Sequence, residues 1–315
     1  MLDALPRTAF SLLAGSSAMK RLASRYGMRQ PHSFARRFIA GETVSEAIEA
    51  ARSIERPGIS ITFDVLGESA DSTAAAAEAT RTYASVISSL QQAGVGRNLS
   101  LKLTQLGLAI DRATSIDNLR RILDVANGAG FFVRIDMEGS MYTDQTLETF
   151  ETVWGIGYRN VGVAVQSALR RSEPDVRHLN ALGARVRLVK GAYREPRTVA
   201  FQQKAEVDAA FDALMKLLLS EGVSPAIATH DPARIEATKA FAKSRGLTAD
   251  AFEFQLLYGV RRDLQAALAA EGYQVRVYVP FGTEWFPYFM RRLGERPANV
   301  GFVVKSLFRE RRASP

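Results

Sequence analysis

The stretch FFVRIDMEGSMYTDQTLETFETVWGIGYRNVGVAVQSALRRSEPDVRHLNALGARVRLVKGAY, residues 131–193, decides the fold. It contains three β-rich runs, at 131–139, 161–166 and 185–193, separated by segments with helical apolar periodicity. Strand, helix, strand, helix, strand at intervals of about 30 residues is the pattern of parallel strands joined by crossover helices.

The same rhythm extends in both directions. ISITFDVLGE (59–68) and NLSLKLTQLG (98–107) precede the stretch, while PAIATHD (225–231), FEFQLLYG (252–259) and QVRVYVPFG (274–282) follow it. Segments such as STAAAAEATRTYASVISSLQQAG and VDAAFDALMKLLLSEG have the period and closing glycine of crossover helices. Eight strands and a helical finish predict an α/β fold, a parallel (βα)8 TIM-like barrel over 59–299. Residues 1–58 read as an N-terminal helical arm of three segments, LPRTAFSLLAGSSAMKRLASRYG, PHSFARRFIA and TVSEAIEAARSI, punctuated by Pro31, Gly41 and Pro57. Residues 300–315 read as a basic tail.

Composition narrows the functional classes. At 315 residues, with 47% hydrophobic and 23% charged residues, the chain can bury one barrel-sized core. The absence of cysteine removes disulfides, thiolate nucleophiles and cysteine metal sites, and suits a reducing compartment. His32, His178 and His230 have no ligand spacing, so no metal site is expected. No uncharged apolar run reaches the ~18 residues of a membrane span.

The net charge of +8 is concentrated at the ends. Residues 1–41 carry seven cations against Asp3, a net +6, and residues 305–315 carry four against Glu310, a net +3, which leaves the middle of the chain at −1. That distribution argues against a nucleic-acid-binding core and for electrostatic docking at an anionic membrane surface. A solubilising arm is the alternative reading. The N-terminus lacks a secretory signal, while its Arg- and Ser-rich character leaves a transit peptide open.

A barrel places its chemistry at the C-terminal ends of its strands. Polar residues gather there: Glu68, Lys102, Asp136 and Glu138, Gln166, Arg187 and Lys190, Thr229 and His230, then Glu253 and Gln255. Asp231 followed by Pro232 suits an N-cap and first helical turn, whose amides could receive a phosphate. In YVPFGTEWFPYFMRRLGE (278–295), adjacent Arg291 and Arg292 could clamp an anionic group with two planar forks, which points to a small acid as substrate. GIGYRNVG (155–162) precedes a strand and is a turn, not a dinucleotide fingerprint, and no GxSxG elbow occurs. Lys102 or Lys190 could form a Schiff base, so an aldolase on the same barrel stays open. A cofactor-free barrel docked by its basic ends is the non-enzymatic alternative.

LKLTQLG, RIDMEGS, RLVKGAY, ATHD, FEFQLLYGVR and YVPFGTEWFPYFMRRLGERPAN, in this order from about residue 30 to residue 300, closely resemble the bacterial single-function proline dehydrogenases. The resemblance implies an FAD-dependent (βα)8 barrel with a final helix over the strand C-terminal ends. It implies oxidation of L-proline to Δ1-pyrroline-5-carboxylate, electrons passing to a membrane quinone, and a cytoplasmic protein peripherally associated with the inner face of the membrane.

Carried over residue by residue, it makes Lys102, Arg291 and Arg292 the carboxylate cradle, with Asp136 balancing their charge. Tyr193, Tyr278, Tyr288 and Leu257 become the walls around the substrate ring. Tyr278 stands where hydroxyproline-preferring relatives carry a smaller residue, and Glu68 resembles a gate carboxylate that pairs with Arg291. Met137, Gln166, Arg187, Lys190, Gly191, Ala192, Lys204, Thr229, His230, Gln255 and Glu295 match FAD contacts. No residue stands out as a base for the proline amine.

Overall fold

The structure, a computed structural model, describes residue 28 and residues 33–295; the side chains of residue 34 and residues 293–295 lie outside that description. The first of the three expected helical segments, LPRTAFSLLAGSSAMKRLASRYG, and the basic tail lie outside it as well. Eight parallel strands close into a barrel in the order β1 to β8: β1 (Ile59–Val65), β2 (Asn98–Leu101), β3 (Phe132–Ile135), β4 (Val161–Gln166), β5 (Arg185–Val189), β6 (Ala226–Ala228), β7 (Glu253–Leu257) and β8 (Gln274–Phe281). β1 pairs with β8 through seven residues in register, from Ile59 opposite Val275 to Val65 opposite Phe281, and closes the ring.

Period-two alternation explains why these runs form strands. Outward positions such as Ile61, Phe63, Val133, Ile135, Val186, Leu188, Val275 and Val277 are buried under the helices. Many inward positions are polar. Arg276 reaches Glu253 at 3.0 Å and the Ile61 carbonyl at 2.9 Å, and Thr62 Oγ1 lies 3.3 Å from Ser100 Oγ. The barrel interior is therefore a charged, hydrogen-bonded lumen under an apolar jacket.

Helices α1 (Val44–Ile54), α2 (Thr73–Ala93), α3 (Arg112–Gly128), α4 (Thr143–Gly155), α5 (Ser172–Ala181), α6 (Lys204–Glu221), α7 (Pro232–Ser244) and α8 (Arg262–Ala270) surround the strands. Their starts follow from capping chemistry. Thr43 and Glu46 form a reciprocal capping box on α1, Ser72 caps α2, Asp111 caps α3, and Asp231 caps α7 with Pro232 in the first turn. α1 packs on β1, β8 and α2, so the last part of the N-terminal segment is built onto the barrel.

The expected helix over PHSFARRFIA is instead one 3-10 turn, Phe34–Arg37. After that turn Phe38 and Ile39 are buried against the final helix, α9 (Trp285–Glu295). Met28, Ala35, Phe38, Ile39 and Leu66 form a second apolar cluster with Trp285, Phe286, Tyr288, Phe289 and Met290. Trp285 Nε1 donates to Glu42 at 2.8 Å, and the Phe38 and Phe289 rings lie 6.3 Å apart. A third contact fixes the same segment from below. Gly259, at φ +69°, approaches the Arg37 carbonyl so closely that an added Cβ would lie 1.5 Å from its oxygen. Only glycine fits there.

Candidate functional site

A cavity of about 700 Å³ opens at the C-terminal ends of the strands, within the usual range for ligand pockets. Residues immediately after the strands supply its charged lining: Lys102 after β2, Asp136 after β3 and Lys190 after β5. α9 crosses above them, and Tyr288, Arg291 and Arg292 line the same cavity.

Its centre is a network around two carboxylates. Asp136 accepts from Arg187 at 2.5 Å on Oδ1 and from the Tyr278 hydroxyl at 2.7 Å on Oδ2, while Lys102 Nζ stands 3.9 Å from Oδ2. The close partner of Lys102 is Asp64, at 3.0 Å. Burial alone would lower the Lys102 pKa, but the charges of Asp64 and Asp136 outweigh it and hold the ammonium above its ordinary value. Arg187 also donates to Ser100 Oγ at 2.9 Å, and its guanidinium lies 5.4 Å from the Tyr278 ring centre. Burial, reinforced by the Asp136 charge, pushes the Tyr278 phenol well up, so it remains a donor.

The expected ring walls gather here too. Tyr278, Tyr288, Tyr193 and Leu257 all line the cavity. The Arg292 and Arg291 guanidinium carbons lie 5.2 Å and 6.0 Å from the Tyr288 ring centre, so that ring sits beside both cations. Tyr193 belongs to the segment after β5 and is 46% exposed at the mouth. That segment is tied across to the turn after β3 by Glu195, which accepts from the Ser140 amide at 2.7 Å and from its hydroxyl.

The residues matched to cofactor contacts form the other half of the cavity. Met137, Gln166, Arg187, Lys190, Gly191, Ala192, Lys204, Thr229, His230 and Gln255 line it; the Glu295 side chain lies outside the described residues. Gln166 Nε2 donates to the Glu138 carbonyl at 2.8 Å, and His230 Nε2 accepts from the Leu257 amide at 2.9 Å, which leaves that nitrogen unprotonated. Lys190 pairs with Asp231 at 2.7 Å and with Asp208, to which Lys204 also donates. The lysine hydrogen bond holds Asp231 down to about 2.

Three observations fit a bound flavin dinucleotide. Gly191 has φ +115°, and a Cβ there would lie 2.9 Å from Gln166 Oε1, so bare backbone borders the cavity. Gln255 Oε1 and Arg187 Nε are buried without a hydrogen-bond partner among the described residues. Lys190, Lys204 and the N-terminus of α7 offer cationic and amide donors for phosphate, while Met137, Leu256 and Leu257 supply apolar surface. No group of acidic or histidine side chains among the described residues could hold a metal.

Glu68 is brought to neither group. It is exposed three residues beyond β1, lies outside the cavity lining, and no described ion pair joins it to Arg291. Two residues escaped the sequence reading: Asp64 is 1% exposed beneath Lys102, and Arg261 lines the cavity from a left-handed backbone conformation at φ 49°. Glu138, expected among the strand-end polar residues, holds the turn after β2 rather than the cavity. Glu138 accepts from the Thr104 hydroxyl at 2.7 Å and its amide at 3.2 Å, and burial still pushes its carboxyl up.

The sequence model of the proline dehydrogenase family matches residues 47–305. The proline dehydrogenase of Deinococcus radiodurans is 41% identical over 313 residues, covering 98% of this chain and 100% of that protein. Proline dehydrogenase 1 of Bacillus subtilis is 39% identical over 304 residues, covering 96% and 99%. Among solved structures, proline utilization A of Bdellovibrio bacteriovorus, inactivated by N-propargylglycine, superposes with a TM-score of 0.78 at 27% identity. That match covers 86% of this chain and 33% of the larger protein.

Proposed function

The chain belongs to the proline dehydrogenase family, and on that premise we propose that it oxidises L-proline to Δ1-pyrroline-5-carboxylate with FAD and passes the electrons to a membrane quinone. The observation that carries this reading is the convergence of Lys102, Arg291, Arg292, Tyr278 and Tyr288 in one cavity, from β-strand ends on one side and α9 on the other. FAD, when bound, supplies the two-electron acceptor, and the protein contributes binding, orientation and water exclusion.

Lys102, Arg291 and Arg292 receive the carboxylate, the two arginines as planar forks and the lysine as a point charge. Tyr278, Tyr288, Tyr193 and Leu257 enclose the ring and fix which face it presents. Asp136 holds Tyr278 and Arg187 in place through its two oxygens. α9 covers the strand ends and limits solvent, and Glu68 closes on Arg291 once substrate is seated. Lys190, Lys204 and the start of α7 hold the cofactor phosphates, with Gly191 admitting close approach. The basic residues before residue 42 bring the barrel, 59–299, to an anionic membrane.

The Schiff-base alternative loses its nucleophile. Lys102 is held protonated by two carboxylates, and Lys190 is ion-paired with Asp208 and Asp231. The deciding experiment is the visible spectrum of the purified protein before and after anaerobic proline. A flavin spectrum that bleaches on adding proline supports the reading, whereas colourless protein, or substrate trapped on lysine by borohydride, overturns it.

A further inference from the structure

We infer that Asp64 is a positioning residue that holds the Lys102 ammonium at the carboxylate subsite, so that its loss weakens ligands carrying a carboxylate and leaves neutral ligands untouched. The inference rests on the carboxylate-binding role given to Lys102 above. It starts from the chemistry of lysine. A lysine has a flexible four-carbon stem and a strongly hydrated head, so it does not orient itself. Some partner must aim it.

Two carboxylates stand near, and only one is available for the task. Asp136 is committed through both oxygens, Oδ1 to Arg187 at 2.5 Å and Oδ2 to Tyr278 at 2.7 Å, and its distance to Lys102 is 3.9 Å. Asp64 lies 3.0 Å from Lys102 Nζ, its other oxygen is buried without a hydrogen-bond partner among the described residues, and its side chain is 1% exposed. The backbone of Asp64 is held from both sides, opposite Ser100 of β2 and Pro280 of β8. A short side chain on a doubly paired strand is a rigid anchor.

Electrostatics points the same way. Lys102, Arg291 and Arg292 bring three cations to one cavity, while the charge of Asp136 is shared with Arg187. Asp64 is the fixed counter-charge that lets Lys102 stand there before substrate binds. A buried ion pair is a poor device for stability alone, since an apolar pair of the same volume generally serves as well. A role in aiming the lysine accounts for a carboxylate at this depth.

The test compares holoenzymes carrying Asp64→Asn, Lys102→Met and both substitutions. Binding is read from the flavin spectrum on titration with cyclopentanecarboxylate and with its neutral carboxamide, and proline KM and kcat are measured alongside. Losing one charge-assisted contact predicts a rise of about 10- to 100-fold in the carboxylate Kd and the proline KM for Asp64→Asn, with the carboxamide Kd unchanged. In the Lys102→Met background, Asp64→Asn should add nothing, because the partner through which it acts is gone.

Multiplying effects in the double variant, an unchanged carboxylate Kd, or equal losses for carboxylate and carboxamide would each overturn the inference. If Asp64→Asn fails to fold, Asp64→Glu replaces it: the charge is kept but the anchor is one methylene too long, so the same selective weakening is expected and normal carboxylate binding counts against the inference. Wild-type holoenzyme that does not turn over proline would refute the functional reading itself, an outcome separable from any result for Asp64.

Discussion

The Tyr278 hydroxyl donates to Asp136 Oδ2 at 2.7 Å, joining β8 to the residue that follows β3 across the barrel mouth. One residue thus has two separable duties, an aromatic surface toward the cavity and a hydroxyl toward the network that holds Arg187. Tyr278→Phe keeps the surface and frees an Asp136 oxygen, and should lower proline kcat/KM by about 3- to 10-fold. Tyr278→Ser removes the surface too and should raise the ratio of 4-hydroxyproline to proline turnover, a shape effect of ~1 to 3 kcal/mol. Parallel steady-state assays check both, and an identical substrate ratio in wild type and Tyr278→Ser would show that the ring does not face substrate.

Arg292 stands 5.2 Å from the Tyr288 ring centre at the cavity wall. Arg292→Met should weaken proline binding by about 2 to 4 kcal/mol, and Arg292→Lys by nearly as much, because the ammonium keeps the charge and loses the fork. FAD content should stay at the wild-type level in both. A near-normal proline KM in both variants would exclude a carboxylate clamp.

The N-terminal segment braces α9, so damage to the brace should appear at the site. Phe38→Ala opens a cavity beneath Phe289, in a class of substitution that costs about 3 to 5 kcal/mol, and Gly259→Ala drives a methyl group into the Arg37 carbonyl. Both should raise proline KM while FAD stays bound, with faster proteolysis before residue 42 as the structural readout. Normal KM together with rapid proteolysis would uncouple the brace from the site.

Met28 belongs to the same cluster, so a deletion meant to test membrane docking should stop at residue 27. Removing residues 1–27 takes away four of the seven cations counted above, leaving Arg29, Arg36 and Arg37, together with Phe10, Leu12 and Leu13. Binding to anionic vesicles should fall and turnover with membrane quinone should slow, with reduction by proline unaffected. Undiminished, salt-insensitive vesicle binding would exclude the anchor.

Acid should release the Asp231 cluster within a defined window. Hydrogen bonding to Lys190 holds the folded Asp231 at about 2, below its ordinary 3.8, so its stabilisation is present above the ordinary value and disappears as pH falls toward 2. The contribution is at most about 2 kcal/mol. Urea denaturation of wild type and Asp231→Asn should differ at pH 6 and converge near pH 2, and a constant gap at both pH values would show that the charge of Asp231 carries no stability.

The strand starts were legible because β-branched apolar runs begin where the pleat begins; predicted and observed starts agree within a residue at all eight. The ends were not. NLSLKLTQLG reads as one strand through 107, but β2 stops at Leu101 and Leu103–Leu106 form a buried 3-10 turn whose apolar residues mimic a strand. Asp64 was hidden for a related reason. It shares the inward parity of Thr62, yet parity identifies a functional carboxylate only if the interior is known to be polar, and this one also contains Arg134, Arg187 and Glu253. The single turn at Phe34–Arg37 is dictated by α9, far along the chain, which no local pattern in PHSFARRFIA encodes.

Phe38 and Phe289 meet across about 250 residues of chain, a separation whose closure is entropically among the most expensive the fold requires. The brace and the helix bearing Arg291 and Arg292 can therefore come together only after the last strand has left the ribosome. A nascent chain would carry a folded or half-folded barrel without its roof, unable to grip substrate. Enzymatic competence in this fold is then a late event of biosynthesis, and a truncated translation product would be inert rather than partly active.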